Sequence, residues 1–501
     1  MNKKIYSFGM AAMMLLFSGN VMATDYYLSA NGSDTNDGKT AQTALKTLSA
    51  VMAKVAQNKD GEHVYVSGII KVNEEWTKAH LHHVIFEGTN PETDGFDAEG
   101  HNGIFHINNS ICTFKNLSFK NGYKPSGEAG SGAIWGWPLK LTLENCVFEG
   151  NKVDHNNANQ NAGAIFLSGT TPRNEVGGIY ATNCKFINNT SNAGGGAIAS
   201  GSNIVDLKNC YFQNNTATAT GGAIYANTVN EISINACTFE GNVTTAQRGG
   251  AIFLLMGTLT GKTYTMANTT FYQNKAKGDG GAFAASDTGN NSDNTINFVH
   301  CTMSGNQTGG TVDGGGAINL KDKKGTVNVV NSIIQGNLSA VNTNSFADVA
   351  FGTTKTNFVN SYVGYVRKYA DNESNYSVTA GKLNNLEGKN PSNTEIDLDA
   401  YDADAHIIRL KATSDAKTAA DLSADAAYGV TTDQLGQAWT KPYIGAVQLL
   451  EGESTGISSI KTDAPKSIKG IYNIAGQYVG NDASQLAKGL YIINGKKVIV
   501  K

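Results

Sequence analysis

A motif of the form Asn-Cys-x-Phe-x-x-Asn recurs along the chain and constrains the fold more than any other feature. A second motif, Gly-Gly-Ala-Ile or a close variant, follows most copies. Self-similarity at such a period indicates a solenoid, a propeller or an array of repeats. Counting degenerate copies, the aromatic position falls at residues 119, 148, 186, 212, 239, 271, 303, 334 and 363.

The phase of the apolar residues shows which secondary structure one repeat forms. Before Asn209, Val205 and Leu207 alternate on one parity, and after it Cys210 and Phe212 alternate on the other. A period of two predicts β-strand. The change of parity requires a bend at one residue, and Asn tolerates a left-handed backbone better than most residues. Each repeat therefore predicts a strand, an Asn bend, a second strand, a variable loop and a Gly-rich corner into a third strand.

Stacking these repeats predicts an all-β fold, a single-stranded right-handed parallel β-helix over residues 63–450. Adjacent coils would lie about 4.8 Å apart. A leucine-rich repeat is excluded because its L-x-x-L-x-L signature is absent. A solenoid has to cover its terminal coils, and apolar residues at helical spacing predict an N-terminal cap with a short helix at residues 24–62.

Five cysteines share one slot in the repeat, two residues before the aromatic position. A disulfide needs Cβ atoms about 3.8 Å apart, whereas side chains in register on adjacent coils lie about 4.8 Å apart. We therefore predict free, buried thiols that pack as small apolar groups. The spacing also lacks a tetrahedral zinc pattern. The five residues are Cys146, Cys184, Cys210, Cys237 and Cys301.

Residues 1–23 have the organisation of a secretory signal peptide. Lys3 and Lys4 precede a short apolar run, and Ala23 lies where a signal peptidase would cut. No other segment reaches the length of a transmembrane helix. The net charge is −3 with only four arginines, so the chain offers no basic surface for nucleic acid. These features predict an exported protein with no transmembrane segment and no nucleic-acid partner.

Several segments resemble known families of exported proteins. Residues 26–34 and 433–436, together with Ile444-Gly445-Ala446, resemble the caps of pectate-lyase-like β-helix proteins, although Tyr443 replaces the usual acidic residue. The paired Gly-Gly-Ala-Ile and Phe-x-x-Asn motifs resemble the polymorphic outer-membrane protein repeats of adhesins. These resemblances imply a β-helix at the cell surface and leave its activity open.

Residues 456–501 differ from the repeats that precede them. Their Gly-rich turns and alternating segments, at 470–477, 488–493 and 496–501, predict a small all-β domain. The order and spacing resemble the C-terminal sorting domain of the Bacteroidetes type IX secretion system. That resemblance implies the secretion machinery as a partner and display on the surface or release. The alternative is a simple capping hairpin.

The loops before the Gly-rich corners hold the best catalytic candidates that the sequence offers. A β-helix lyase needs a base and a cation, either Ca²⁺ or Arg, beside a uronate carboxylate, and a glycoside hydrolase needs closely spaced carboxylates. Arg248, Lys277, Asp279 and Asp313 would line up across three adjacent coils. The same residues are compatible with a solvated row of charged loops. No cofactor is predicted, apart from Ca²⁺ under the lyase interpretation.

Two further clusters have alternative interpretations. Trp135 and Trp137 flank one Ala-Ile strand and are candidates for stacking on a sugar ring or for plain packing. His80 and His82 share the face of a predicted strand beside His83. No third ligand is evident, so we predict an exposed or capping strand and no metal site.

The favoured function is a surface β-helix that binds a polysaccharide, a surface glycan or a host ligand, in the manner of an adhesin. Regular loops of small residues and the type of repeat favour this hypothesis. A polysaccharide lyase or glycoside hydrolase on the same scaffold is the alternative, and a structural surface layer is the third. Dispersed acids near the C-terminal coils are interpreted as surface residues: Asp402, Asp404, Asp415, Asp421 and Asp425.

Overall fold

The predicted coil is present in the computed structural model, which describes residues 24–155, 161–169, 171–287, 293–309, 314–322, 325–339, 348–352, 354–364, 366–368, 376–379, 398–411, 413–414, 420–449, 471–473, 478–480, 489–493 and 496–500. Parallel strands stack in chain order into sheets that run along a solenoid of about nine turns. The predicted fold class, an all-β parallel β-helix, is confirmed. Signal-peptide residues 1–23 lie outside the described residues.

Sheets 1 and 2 hold the two strands on either side of the Asn bend. The strands of sheet 1 are Asp25–Ser29, His63–Ser67, Val84–Glu87, Ser110–Lys115, Leu139–Glu144, Gly178–Thr182, Ile204–Lys208, Glu231–Asn235, Thr263–Ala267, Thr295–Val299, Thr326–Val330, Lys355–Val359 and Tyr376–Thr379. The strands of sheet 2 are Ile69–Lys71, Gly95–Asp97, Ser118–Lys120, Val147–Glu149, Lys185–Ile187, Tyr211–Gln213, Thr238–Glu240, Thr270–Tyr272, Thr302–Ser304, Ile333–Gln335 and Tyr362–Val363.

Sheets 3 and 4 complete each coil. The two-residue strands of sheet 3 are Tyr123–Lys124, Lys152–Val153, Thr190–Ser191, Thr216–Ala217, Val243–Thr244, Lys275–Ala276, Gln307–Thr308 and Leu338–Ser339. The strands of sheet 4 are Trp76–Ala79, Phe105–Asn108, Ile134–Gly136, Ile165–Ser168, Ile198–Gly201, Ile224–Asn227, Ile252–Gly257, Phe283–Asp287, Ile318–Asp322, Val349–Phe351 and Val366–Lys368. Gly130–Ser131 and Asn161–Ala162 form an additional pair. The sequence analysis did not predict sheet 3, because a strand of two residues is too short to show an alternation of apolar and polar side chains.

The aromatic positions stack directly above one another inside the solenoid. Phe148, Phe186 and Phe212 are register partners in sheet 2, with ring centroids 4.9 and 4.6 Å apart. Every predicted position from 119 to 363 follows in register, and Phe96 adds one more below Phe119. The predicted register is therefore confirmed.

The residue between sheets 1 and 2 has a left-handed backbone, as the parity change requires. Asn145, Asn183 and Asn209 have φ values of 52°, 57° and 50°. Ala236 and His300 take this position in two other coils, with φ values of 56° and 49°. The bend is therefore confirmed, and it also accommodates residues other than Asn.

The Asn that closes the Phe-x-x-Asn motif forms a buried ladder between sheets 2 and 3. The Asn215 side-chain amide donates to Asn242 Oδ1 at 2.9 Å and to the Phe186 carbonyl at 2.8 Å. Its own Oδ1 accepts from the backbone and side-chain nitrogens of Asn189. The ladder satisfies polar groups that burial would otherwise leave without hydrogen bonds. Its members are Asn151, Asn189, Asn215, Asn242, Asn274, Asn306 and Asn337, and Asp348 ends it.

All six cysteines of the chain are buried free thiols. Burial raises the pKa of Cys301 to about 12, since a thiolate loses its hydration in an apolar interior. The structure thus contains the packed thiols that the repeat spacing predicts.

The N-terminal end is covered by helix Leu48–Lys54, after a 3-10 turn at Ala41–Thr43. Thr47 caps the helix, and Leu48, Val51 and Met52 face the core. Lys78 Nζ donates to the Met52 and Val55 carbonyls at 2.7 and 2.6 Å, where the helix ends. A cation there complements the negative end of the helix dipole.

The described residues between 398 and 449 pack along the outer side of sheet 2 and contain a 3-10 helix at Leu422–Tyr428. Gln434 Nε2 donates to the Cys237 carbonyl and to Thr238 Oγ1. The surface assignment of Asp425 is wrong, because this residue is buried against His300 Nε2, which lies 3.0 Å from both carboxylate oxygens. Asp404 and Asp421 are exposed as predicted, and Asp415 lies outside the described residues.

The C-terminal region contains an antiparallel sheet, in agreement with an all-β tail. Its strands, Ile471–Asn473, Tyr478–Gly480, Gly489–Ile493 and Lys496–Val500, differ from the parallel strands of the solenoid. Within the described residues, the model contains no helix with the length and apolar character needed to cross a membrane.

Candidate functional site

The catalytic candidates predicted from sequence meet only in part. Arg248 Nε lies 3.7 Å from Asp279 Oδ2 on the next coil, so these two residues form an ion pair. Their backbones join the same corner ladder, since the Gly249 amide donates to the Asp279 carbonyl at 3.0 Å. Lys277 is exposed two residues before Asp279, and Asp313 lies outside the described residues. The described candidates therefore form an ion pair beside an exposed lysine.

Trp135 lies on the outer side of sheet 4, where it takes part in packing. His106 is its register partner on the preceding coil, and the two rings stack with centroids 3.5 Å apart. A Cβ atom on Gly130 would come within 2.9 Å of the Trp135 ring, so only glycine permits this close approach. Trp135 is partly buried, and the packing interpretation accounts for its contacts.

A partly buried ion pair fixes the edge of the Trp135 ring. Trp135 Nε1 donates to Glu75 Oε1 at 2.9 Å, and Lys124 Nζ lies 2.6 Å from Glu75 Oε2. Both carboxylate oxygens of Glu75 are therefore engaged by donors. Burial lowers the pKa of His106, with a further lowering by the Lys124 charge opposed by Glu75. The ring beside Trp135 is consequently neutral at neutral pH.

Trp137, two residues further on, presents its indole to solvent with 65% of its surface exposed. Its backbone is held firmly, because the Trp137 amide donates to Asn108 Oδ1 at 2.8 Å. The Asn108 side-chain nitrogen in turn donates to His106 Nε2, also at 2.8 Å. A Cβ atom on Gly169 would lie 2.4 Å from Trp137 Cδ1, so that loop approaches the indole closely. Trp137 is thus a large exposed aromatic side chain on a backbone that hydrogen bonds hold in place.

An open pocket of about 450 Å³ lies between residues 63–138, here called the entrance coils, and the segment at 171–174. It is lined by His82, Asn109, Thr171 and Asn174. Asn109 follows Asn108 in the chain, and Thr171 follows Gly169 by two residues, so part of the lining adjoins residues that lie against Trp137. Amide, hydroxyl and imidazole groups of this kind donate and accept hydrogen bonds.

A second depression lies at the corner between sheets 2 and 3, near Asp97, Tyr123 and Lys152. Its volume is about 610 Å³, and Asp97, Glu99 and Asn121 contribute to its polar lining. The Tyr123 hydroxyl donates to Asp154 Oδ2 at 2.8 Å, so the phenol is already engaged. No tryptophan is among the residues that line this depression.

The histidine cluster differs from the predicted arrangement. Sheet 4 strand Trp76–Ala79 ends before His80, whose φ of 61° turns the chain, so His80 and His82 do not share a strand. His82 and His83 instead converge with Asp60, and one ligand atom from each of the three lies within 4.8 Å of the others. Asp60 thus supplies a third potential ligand atom beside the two histidines, one that the sequence did not reveal.

Sequence reasoning missed Glu75, Lys124, His106 and Asn108. Their partners lie up to 60 residues away along the chain, as with Glu75 and Trp135. A usable signal existed for His106, because counting back one repeat from Trp135 places it at the same strand position. The lengths of the intervening loops concealed the others.

The coil geometry and its ladders define the protein as a parallel β-helix repeat protein. The model of the Chlamydia polymorphic membrane protein repeat matches residues 209–227 and 268–286, each of which contains a Gly-Gly-Ala corner. No curated protein matches the chain.

Several solved structures share this type of fold at low identity. The catalytic unit of the GH87 α-1,3-glucanase from Streptomyces thermodiastaticus strain HF3-3 is 14% identical, with 68% of this chain and 65% of that chain covered and a TM-score of 0.30. The PL6 family alginate lyase AlyGC is 10% identical, with 86% and 59% covered and a TM-score of 0.32. The GH136 lacto-N-biosidase from Eubacterium ramulus is 12% identical, with 72% and 67% covered and a TM-score of 0.30. At these values the matches carry no argument about function.

Proposed function

We propose that this protein is a secreted or cell-surface β-helix that binds glycans in the manner of an adhesin, with Trp137 as its stacking platform. The exposed indole on a fixed backbone carries the proposal. Trp is the residue type that most often dominates binding energy at an interface. The apolar faces of a pyranose ring match an indole in size, and nearby polar groups are suited to its hydroxyls.

Rigidity supports a binding role for Trp137. An aromatic side chain loses little conformational entropy on binding when the backbone that carries it is already ordered. The hydrogen bonds from Asn108 to His106 and from the Trp137 amide to Asn108 supply that order before a ligand arrives. The pocket that includes Asn109 and Thr171 would then take the polar edge of the sugar.

The test is affinity electrophoresis and glycan-array binding of the full chain against neutral and acidic polysaccharides. For any polysaccharide retained by the wild-type protein, we expect Trp137→Ala to weaken binding about tenfold or more, which corresponds to ~1.4 kcal/mol. Trp137→Phe should retain part of the affinity because it keeps an aromatic face.

Leu435→Ala is the matched control, because Leu435 is another exposed large apolar residue outside the entrance coils. Its binding should equal that of the wild-type protein. Equal loss in both variants, or full binding by Trp137→Ala, would contradict the assignment of Trp137 as the platform.

A polysaccharide lyase or glycoside hydrolase is the second candidate function. The specific observation in its favour is the Arg248–Asp279 ion pair beside exposed Lys277 on neighbouring coils. Turnover would be followed by ultraviolet absorbance of unsaturated products and by new reducing ends. If the enzyme hypothesis holds, Lys277→Ala and Arg248→Ala abolish turnover without changing the thermal unfolding midpoint.

Export and sorting form part of the same proposal. The Chlamydia repeat match, the signal-peptide-like residues 1–23 and the antiparallel C-terminal strands support a protein that reaches the cell exterior through a type IX sorting domain at 456–501. Deletion of residues 456–501 should retain the protein inside the cell envelope. Normal surface display of the deleted form, measured by protease accessibility on intact cells, would argue for a capping sheet instead.

A further inference from the structure

We propose that Asp60, His82 and His83 bind a transition-metal ion of the Zn²⁺ class at the entrance of the solenoid. The three side chains come from two segments that are far from the Trp137 indole in sequence. Asp60 belongs to the connection between helix Leu48–Lys54 and strand His63–Ser67, and the histidines precede strand Val84–Glu87. The ion would join the N-terminal cap to the first complete coil.

The backbone holds these residues together without a metal. Asp60 and His82 form an isolated parallel bridge, and the Gly61 amide donates to the His82 carbonyl at 3.1 Å. His83 has a φ of 51°, which places its ring beside that of His82, with centroids 4.4 Å apart.

Both ring nitrogens of His83 lie beside carboxylate oxygens. Nε2 lies 3.0 Å from Glu175 Oε1, and Nδ1 lies 2.8 Å from Asp60 Oδ1. A neutral imidazole donates from one nitrogen and accepts at the other. In a neutral ring that donates from Nε2 to Glu175, the Nδ1 lone pair would face Asp60 Oδ1, whereas a protonated ring donates to both carboxylates. A metal ion bound by Nδ1 and Asp60 Oδ1 would remove the unfavourable contact between lone pairs in the neutral ring.

The distances fit a small tetrahedral ion. Zn²⁺ lies about 2.0–2.2 Å from nitrogen and oxygen ligands, which places neighbouring ligand atoms about 3.4 Å apart. Asp60 Oδ1 lies 3.3 Å from His82 Nδ1 and 2.8 Å from His83 Nδ1, so small side-chain movements complete the geometry. Three protein ligands leave a fourth position open. All three residues retain access to solvent, so the ion can enter.

Glu175 would serve as the outer carboxylate that orients a ligand histidine. A metal-bound His commonly donates its other ring N–H to a carboxylate, which fixes the tautomer. Glu175 is itself held by Lys140 Nζ at 2.8 Å. Imidazole ligands favour Zn²⁺, Co²⁺, Ni²⁺ and Cu²⁺ over Ca²⁺, which prefers six to eight oxygens.

The experiment is titration of the chelator-treated full chain with Co²⁺ and Zn²⁺ at about pH 8, where free histidine is neutral. We expect one Co²⁺ per chain with the visible absorption of a tetrahedral site, displacement by Zn²⁺, and a higher thermal unfolding midpoint with metal. His82→Ala and His83→Ala should abolish both signals. Glu175→Gln should weaken uptake about 10–100-fold, since it removes only the outer carboxylate.

His101→Ala is the matched control, because His101 is an exposed histidine of the same coils outside the cluster. It should bind Co²⁺ as the wild-type protein does. Metal-free unfolding midpoints equal to that of the wild type would show that the His82 and His83 variants are folded. Absence of stoichiometric Co²⁺ and Zn²⁺ uptake, or unchanged uptake in the His82→Ala His83→Ala double variant, would overturn the proposal. The contacts of His83 with Asp60 and Glu175 would then be hydrogen bonds alone.

Discussion

The repeated middle of the solenoid and its entrance coils use the same coil but fill its outer positions differently. In the middle, the outer row of sheet 4 continues with Ala199, Tyr225 and Phe253, which are buried. In the entrance coils, the same row holds His106 and Trp135. Residues 63–138 contain six of the nine histidines and three of the four tryptophans of the chain. Chemically versatile side chains are therefore concentrated where the repeat is most degenerate.

The difference follows from what each side of a strand has to do. Inward residues must match their neighbours above and below, because a stacked core tolerates neither voids nor overpacking. Outward residues carry no such requirement. Even in the middle, Tyr225 is buried by a loop, since a Cβ atom on Gly194 would lie 2.7 Å from its ring. Burial raises the pKa of Tyr225 to about 12. The middle thus packs its aromatic residues, whereas the entrance coils expose one.

The largest expected effect comes from breaking the stacked core of the middle. Phe212 is fully buried, with ring centroids 4.6 Å from Phe186 and 4.7 Å from Phe239. Phe212→Ala should lower the free energy of unfolding by about 3–5 kcal/mol, through lost burial and a residual cavity. Urea denaturation followed by circular dichroism measures the change.

Trp137→Ala gives the contrast for the entrance coils. Its exposed side chain should change the free energy of unfolding by no more than about 0.5 kcal/mol. An unchanged denaturation midpoint for Phe212→Ala would show that the aromatic stack is not the core of the solenoid.

The next largest effect should come from the buried Asn ladder. Asn215→Ala removes two donated and two accepted hydrogen bonds. The Asn189 nitrogens and the Phe186 carbonyl lose these partners, whereas Asn242 Oδ1 keeps the backbone amide of residue 215 as a donor. We expect a loss of about 2–4 kcal/mol, because each unsatisfied buried group costs about 1–3 kcal/mol. Asn192→Ala, at an exposed loop position, is the control. Similar small losses in both variants would mean that water replaces the ladder.

Much of this fold could be predicted from local pattern. The parity change at Asn209 depends only on residues 205–212, and the φ of 50° confirms the bend. The aromatic register needed only the recurrence of one motif, and Phe186 pairs with Phe212 as expected. Ladders of identical residues can be predicted from the recurrence of one motif, because each coil reproduces the environment of the one before it.

The candidate sites could not be predicted in the same way. Contacts such as Trp135 with Glu75, or His83 with Glu175, join residues that occur once and depend on the lengths of several loops. Asp425 appeared to be one of several dispersed acids, yet it is buried against His300, which replaces Asn at a bend. The replacement of the repeat Asn by His300 was the available signal, since a polar ring at this position needs a hydrogen-bonding partner.

The smallest expected effect is the pH dependence of stability that His106 gives to the entrance coils. Burial lowers the pKa of His106 in the folded protein, so the unfolded chain takes up a proton first as the pH falls. The contribution of His106 to stability is then complete above about pH 6.5 and is lost as the pH falls through the lowered pKa. His106→Gln places a side chain that stays neutral at this position, so it should reduce the loss of unfolding free energy between about pH 7.5 and pH 5.5. The reduction should be less than about 1 kcal/mol, because the half-buried ring is partly screened by solvent. His101→Gln should leave that loss unchanged, and a His106→Gln profile identical to the wild-type profile would mean that the ring beside Trp135 is solvated as freely as an exposed histidine.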